Sequence, residues 1–146
     1  MLVVRELIDK EEMLKNLSVL QDLYPSLTLS EYSSELDLML PHNYGQVGVF
    51  EGDICLGLSG FWIGTKLWCG KYLELDNIVV SKSQRSQGIG KLIFDFLHKK
   101  ALENDCTMLS LDSYTTNFNA HKFFYKEGFA PKGFHFINIL KDEKVR

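Results

Sequence analysis

The sequence has few cysteines and no long apolar run. Only 3 cysteines occur among 146 residues, and no two of them have the C-x-x-C spacing. An odd number of cysteines without that spacing favours reduced thiols, so we expect neither a disulfide framework nor a metal. No apolar stretch approaches the roughly 20 residues that span a bilayer, and Glu6 comes too early for a secretion signal. These features predict a cytoplasmic protein without a membrane partner.

The sequence also has no excess of positive charge. Its 16 Lys and Arg residues are outnumbered by 19 Asp and Glu residues, which gives a formal net charge of -3. Since nucleic acids attract basic surfaces, we expect no nucleic-acid partner. The length and an apolar share of 45% fit one compact domain over residues 1–146.

The spacing of apolar residues predicts a fold that contains both strands and helices. Strand periodicity occurs at residues 2–7, 46–51, 54–61, 72–80, 108–111 and 134–140. Helical periodicity predicts one helix from the cap Asp9 to Pro25, a second from the cap Ser30 to Pro41, a third over residues 92–101 and a fourth from Asn117 to Gly128. The strand, helix and strand around residues 92–101 predict a right-handed crossover between parallel strands.

A polar segment with two glycines, residues 84–91, lies between a strand and a helix. Gly88 and Gly90 allow the backbone to turn tightly and to bring its N–H groups close to a ligand. The helix that follows presents unpaired N–H groups and the positive end of its dipole. The segment therefore predicts an anion site, for which phosphate is the natural ligand.

Two common phosphate motifs do not fit this segment. A P-loop requires glycine where Arg85 stands and Ser or Thr where Leu92 stands, and a dinucleotide motif requires a small residue where Ile93 stands. Coenzyme A fits better, because the two amides of pantetheine can pair with the edge of the preceding strand while the pyrophosphate binds the loop.

Two segments resemble the GNAT superfamily of N-acetyltransferases. Residues 80–90 resemble its acetyl-CoA-binding segment, whose core is Arg or Gln, two residues, Gly, one residue, then Gly or Ala. Residues 117–129 resemble its N-x-x-A…F-Y-x-x-G-F segment. The resemblance implies an α/β (α+β) single-domain fold with a mixed central sheet of about six to seven strands and about four helices. It also implies a sheet that is splayed at the strand before the pyrophosphate loop, and a homodimer.

The resemblance further implies which residues hold acetyl-CoA. They are Ile78, Val79, Val80, Arg85, Ser86, Gln87, Gly88, Ile89, Gly90, Lys91, Asn117 and Tyr125. Residues 78–80 would contact pantetheine and the acetyl group through their backbone, with an N–H near Ile78 stabilising the oxyanion. Residues 85–91 would hold the pyrophosphate. For Asn117, a role as a helix cap is the alternative to a bond with the coenzyme.

Three residues are candidates for the chemical step. An amine acceptor has a pKa near 10 in solution and must lose a proton before it attacks a thioester. Glu74 and Asp76 are two residues apart on a predicted strand, so both carboxylates lie on one face and either could act as the base, directly or through water. Asp76 is preferred because it lies nearer the usual position in the family. By the same resemblance, Tyr125 would protonate the departing thiolate.

The sequence therefore predicts an N-acetyltransferase that passes an acetyl group from acetyl-CoA directly to a primary amine of a small molecule or protein. A non-catalytic acyl-CoA-binding sensor or interaction module is the alternative. The acceptor itself stays open. Five aromatic residues could line its pocket or could simply belong to the core or an interface: Tyr24, Tyr32, Trp62, Trp68 and Phe134.

Overall fold

The chain divides into two compact units, Met1–Leu111 and Asp112–Arg146. A computed structural model describes residues 1–82 and 87–146. In the first unit the elements run β1 (Leu2–Leu7), α1 (Lys10–Lys15), α2 (Leu17–Leu20), α3 (Leu29–Met39), β2 (Tyr44–Glu51), β3 (Ile54–Lys66), β4 (Gly70–Val80), α4 (Ile89–Glu103) and β5 (Met108–Leu111). A 3-10 turn, Leu40–His42, links α3 to β2.

One mixed sheet forms the centre of the first unit. Its strand order is β1-β2-β3-β4-β5, with antiparallel pairs from β1 to β4 and a parallel pair between β4 and β5. The parallel pairing ends at Leu75 and Leu111, whereas β4 continues beside β3 until Val80 pairs with Gly57. The predicted α+β class, the parallel crossover and the splay at β4 are therefore confirmed.

The two faces of the sheet are covered by different helices. On one face, α1, α2 and α3 pack against Leu58 and Val79 in a single apolar cluster. On the other face lies α4, whose Lys100 Nζ is 5.3 Å from the centre of the Phe61 ring. Because side chains alternate along a strand, Leu58 and Phe61 mark these opposite faces of β3.

Local signals placed most helix ends correctly but not all of them. The side chain of Asp9 accepts from the N–H of Glu12 at 2.8 Å and caps α1, as the sequence predicts. The first helix is interrupted at Asn16, whose side-chain amide donates to the Glu12 carbonyl at 3.0 Å and competes with the helical bonds. The predicted cap Ser30 is wrong, because Thr28 caps α3 in a capping box with Glu31.

The second unit contains α5 (Phe118–Lys126) and a 3-10 turn, Asp142–Lys144. Asn117 caps α5, and Gly128 follows its end with a φ of 94°, as expected for a glycine after a helix. The strand predicted at residues 134–140 is wrong. These residues have no strand conformation, and Phe134 and Phe136 are 87% and 89% exposed.

The strand count differs from the prediction for the same reason. The described residues contain five strands and five α-helices, against about six to seven strands and about four helices expected. A pattern of apolar residues gives a segment a tendency to form a strand, but the strand itself requires a partner for its N–H and C=O groups. No described helix has the length and apolarity that crossing a membrane requires.

A buried polar contact ties α3 to β2. Gln46 of β2 is 0% exposed and its amide donates to the Tyr32 hydroxyl of α3 at 2.6 Å. Burial raises the pKa of Tyr32 to about 12, although the bond from Gln46 acts in the opposite direction. The folded protein therefore favours the neutral phenol.

Alkaline pH should destabilise the protein, and Tyr32→Phe should reduce that loss. In the unfolded chain tyrosine ionises near pH 10, so the stabilisation from Tyr32 is complete below pH 10 and is lost as the pH rises to about 12. Each unit of pH in that window costs up to about 1.4 kcal/mol per such tyrosine. Urea unfolding at about pH 8 and about pH 11 measures the difference.

The exposed Tyr114 supplies the control, since Tyr114→Phe should leave the pH dependence of the wild type unchanged. At about pH 8, Tyr32→Phe should lower the free energy of unfolding by about 1–3 kcal/mol because Gln46 loses a buried partner. Equal losses between the two pH values in wild type and Tyr32→Phe would contradict the burial argument.

Candidate active site

The start of α4 has the geometry that the glycine segment predicts. Gly88 is the N-cap with a φ of 76°, in the left-handed region, and α4 begins at Ile89. The Ile89 side chain is 1% exposed and packs in the core, so only its backbone can face a ligand. The N–H groups of residues 89–91 lie in the first helical turn, where none has a partner in the helix. Arg85 and Ser86 lie outside the described residues.

A β-bulge changes the course of β4 beside this segment. Asp76 pairs with Gly60 and Val79 pairs with Leu58, so Asn77 and Ile78 of β4 stand opposite the single residue Ser59. Asn77 has a φ of 55°, which asparagine tolerates better than most residues. The bulge lies where β4 has parted from β5, so it re-aims the backbone of residues 77–80.

Two tyrosines hold the bulge in place. The Tyr44 hydroxyl donates to Asn77 Oδ1 at 3.0 Å, and Asn77 Nδ2 donates to the Tyr24 hydroxyl at 3.0 Å. This approach requires glycine at position 60, because a Cβ there would lie 2.4 Å from the Tyr44 hydroxyl oxygen. Burial raises the pKa of Tyr44, so its hydroxyl stays protonated and able to donate.

Asp76 is fixed by two hydrogen bonds. Trp62 Nε1 donates to its Oδ2 at 2.9 Å, and the N–H of Asn77 donates to its Oδ1 at 2.9 Å. The carboxylate is thus oriented on the face of β4 that α1–α3 cover, and Glu74 lies on the same face. The register of β3 and β4 agrees with the prediction that the two acids share one face. Their roles in catalysis stay predictions.

A cavity of about 540 Å³ opens beside Glu74. Its lining comes from the turn after α3 and from β3 and β4: Pro41, His42, Asn43, Trp62, Ile63, Gly64, Tyr72 and Glu74. A volume of this size suits a small molecule. The cavity is therefore the candidate acceptor pocket.

Of the five aromatic residues considered for this pocket, Trp62 lines it. Tyr32 belongs to the buried contact with Gln46, and Tyr24 bonds to Asn77. Trp68 and Phe134 are exposed.

The predicted coenzyme residues of β4 lie at its splayed end. Val79 is buried in the core, while Ile78 and Val80 are half-buried. On the side away from β3, no strand of the described first unit pairs with residues 76–80. Within the described first unit, the backbone groups on this edge therefore have no strand partner on that side.

Two predicted residues belong to the second unit. Tyr125 lies on α5 and is 60% exposed. The Asn117 side chain accepts from the N–H of Ala120 at 3.4 Å, which establishes its role as a cap and leaves its contact with the coenzyme a prediction. Across the described ranges, no three His, Cys, Asp or Glu residues are grouped as a metal site.

Several residues of the site were missed by sequence reasoning. Strand register determines the bond between Trp62 and Asp76 and the bonds that hold Asn77, and register cannot be read from the sequence. One available signal was the Asp76-Asn77 pair inside a strand, since both residue types favour turns and bulges over regular β structure. His42, Gly64 and Tyr72 carried no comparable signal.

The sequence and the fold both match known acetyltransferases. The model of the acetyltransferase (GNAT) family matches residues 12–129. The uncharacterized N-acetyltransferase YhdJ of Bacillus subtilis (strain 168) is 24% identical over 138 residues, which cover 93% of this chain and 97% of YhdJ.

Two solved structures illustrate the shared fold. AAC(6')-Iy in complex with the bisubstrate analogue CoA-S-monomethyl-acetylneamine has a TM-score of 0.82 at 15% identity, covering 97% of this chain and 99% of that one. Glucosamine-6-phosphate N-acetyltransferase from Arabidopsis thaliana has a TM-score of 0.77 at 18% identity, with the same coverage of 97% and 99%. With a family model that matches most of its length, the chain belongs to the GNAT family of acetyltransferases.

Proposed function

We propose that this protein transfers an acetyl group from acetyl-CoA directly to a primary amine. The observation that carries the proposal is the edge of β4 that is left without β5 after Leu75, beside the glycine-capped start of α4. The complex of AAC(6')-Iy, which has the same fold, contains a CoA analogue and supports the same donor here.

The donor would bind along this edge. The amides of pantetheine pair with the backbone of Ile78, Val79 and Val80. The pyrophosphate accepts hydrogen bonds from the N–H groups at the start of α4, over residues 87–91, with Arg85 and Ser86 adding donors. Because Gly88 has a positive φ, its backbone reaches a geometry that other residues adopt only with strain.

The bulge would serve the acetyl group. An N–H near Ile78 donates to the thioester oxygen as negative charge develops on it. The amine nitrogen attacks the carbonyl carbon, a C–N bond forms and the C–S bond breaks. Asp76 takes the proton of the amine, directly or through water, with Glu74 as the alternative base, and Tyr125 gives a proton to the departing thiolate.

Other predictions from the sequence accompany this proposal. The family model covers parts of both units, which supports one functional domain over residues 1–146. A cytoplasmic location, a homodimer and the lack of a nucleic-acid partner stay predictions.

Acetyl-CoA should bind at micromolar concentrations, and an amine panel should release free thiol from it. Gly88→Val should weaken acetyl-CoA binding at least about tenfold, because a β-branched residue at a φ of 76° distorts the start of α4. Isothermal titration measures the affinity, and a thiol assay measures turnover. Binding without turnover on any amine would favour the sensor, and no binding would refute both.

Gly52→Val is the matched control. Gly52 also has a positive φ, of 60°, and a Cβ at either position would meet nothing within 4 Å. Both variants should lose about 1–2 kcal/mol of stability through the same backbone strain. Only Gly88→Val should lose acetyl-CoA affinity, so equal affinity in the two variants would remove the loop from the donor site.

Tyr125→Phe should lower kcat by about tenfold or more while acetyl-CoA affinity stays within about twofold, because the hydroxyl protonates the thiolate only during reaction. Tyr114→Phe, at another exposed tyrosine of the same unit, is the control. Steady-state kinetics and titration give the two values. An unchanged kcat across the pH range would eliminate Tyr125 as the acid.

Asp76→Asn should lower kcat/KM by about a hundredfold near pH 7 and move the rate profile to higher pH, where the amine is already deprotonated. The asparagine amide can accept the bond from Trp62 through its oxygen, but the bond from the Asn77 N–H is then lost, so the variant should also lose about 1–3 kcal/mol of stability. Asp53→Asn, in the exposed β2–β3 hairpin, controls for loss of a charge. If the profile of Asp76→Asn follows that of the wild type, Asp76 is not the base.

A further inference from the structure

Tyr44, at the start of β2, contacts both the wall of the cavity and the bulge of β4. Its ring pairs with that of Trp62, with centroids 4.8 Å apart and planes inclined at 54°. Trp62 lines the cavity and donates to Asp76. The Tyr44 hydroxyl donates to Asn77 Oδ1 at 3.0 Å, inside the bulge. One side chain that is 6% exposed therefore joins the candidate acceptor pocket to the backbone of the proposed donor site.

The bulge needs this contact because of the conformation of Asn77. Its φ of 55° lies in the left-handed region, where a residue other than glycine persists only when its surroundings hold it there. Tyr44 occupies the oxygen of the Asn77 amide, and the Tyr24 hydroxyl accepts from its nitrogen at 3.0 Å. The two tyrosines therefore fix the side chain from opposite ends.

The peptide groups on the two sides of Asn77 both belong to the proposed chemistry. The N–H of Asn77 donates to Asp76 Oδ1 at 2.9 Å, and the N–H of Ile78 is the proposed oxyanion donor. Because peptide groups are planar, the φ and ψ of Asn77 set the angle between these two N–H groups. A contact that fixes Asn77 thus fixes the base and the oxyanion donor relative to each other.

We infer that Tyr44 is a positioning residue for acetyl transfer. Through Asn77 it holds the oxyanion donor and the base in one arrangement, and through its ring it supports Trp62, which orients that base. The inference rests on the proposed acetyl transfer. Tyr44 is buried and does not belong to the described lining of the cavity, so its hydroxyl should affect the chemical step more than the binding of either substrate.

Tyr44→Phe tests the inference, because it removes the hydroxyl and keeps the ring beside Trp62. It should lower kcat by about tenfold or more, since a small misplacement of reacting groups is costly. The KM of the amine and the affinity for acetyl-CoA should stay within about twofold. A thiol-release assay gives kcat and KM, and isothermal titration gives the affinity.

Tyr32→Phe is the matched control. Gln46 Nε2 donates to both hydroxyl groups, at 2.6 Å to Tyr32 and at 3.1 Å to Tyr44, so each variant takes one buried partner from Gln46. The bonds of the Asn77 amide, by contrast, go to Tyr44 and Tyr24. Tyr32→Phe should therefore keep kcat within about twofold of the wild type.

Asn77→Gly separates positioning from a general loss of stability. Glycine adopts a φ of 55° without strain but has no side chain for Tyr44 to hold, so kcat should fall by about tenfold or more. Adding Tyr44→Phe to Asn77→Gly should lower kcat by no more than a further twofold or so, because the contact is already lost. A further tenfold fall in the double variant would show that Tyr44 does not act through Asn77.

Assays of the wild type separate the two ways to fail. If it neither binds acetyl-CoA nor acetylates any amine, the proposed function falls and this inference falls with it. If it is active but Tyr44→Phe and Tyr32→Phe have equal kcat, or the loss in Tyr44→Phe is in KM or acetyl-CoA affinity alone, only this inference is overturned. If urea unfolding shows that Tyr44→Phe does not fold, Tyr24→Phe and Asn77→Gly take its place, and an unchanged kcat in either would overturn the inference.

Discussion

The pairing of β4 is the constraint on which the rest of this protein depends. From Tyr72 to Leu75 the strand has partners on both sides, and from Asp76 to Val80 its one strand partner among the described residues is β3. An unpaired edge exposes N–H and C=O groups, which in most proteins must be covered or paired. This edge lies near the start of α4, where Ile89 and Val79 both approach Gly57, so the proposed donor site uses backbone that has lost one strand partner. On its other face the sheet packs against α4 in an apolar core, and this packing does not depend on the backbone pairs that β4 lacks after Leu75.

The bulge that accompanies this separation requires polar contacts inside an apolar cluster. Asn77 is held by Tyr44 and Tyr24, and Gly60 provides the space for them. A buried polar group without a partner costs about 1–3 kcal/mol, so each tyrosine stabilises the bulge by occupying one side of the Asn77 amide. Tyr24 follows α2 and Tyr44 begins β2, so two separate parts of the chain supply the hydroxyl groups that fix the backbone beside the candidate site. In the described chain Gln46 Oε1 alone among buried side-chain N and O atoms has no partner.

The candidate pocket results from the register of β3 and β4 together with the turn after α3. Trp62 and Glu74 are distant in sequence but directly paired, and Trp62 also bonds to Asp76. The pairing of β3 with β4 thus positions the carboxylate of Asp76, which is proposed as the base, and Trp62, which lines the cavity. A shift of one residue in this register would place the acids on the α4 face, in the apolar core.

The sequence by itself determined the features that neighbouring residues control. The period of apolar residues gave the order of β1–β5, Asp9 and Gly128 marked helix ends, and the glycine segment predicted a tight turn before α4. Together with residues 117–129, the same segment also predicted the family. The sequence misplaced the cap of α3, because Thr28 and Ser30 both have hydroxyl groups and the cap is the one whose backbone lies outside helical geometry. The strand predicted at residues 134–140 is wrong because a strand requires a pairing partner. Only the tertiary structure decided the bulge at Asn77, the bond from Trp62 to Asp76 and the cavity, because these arise from pairing between segments far apart in the chain.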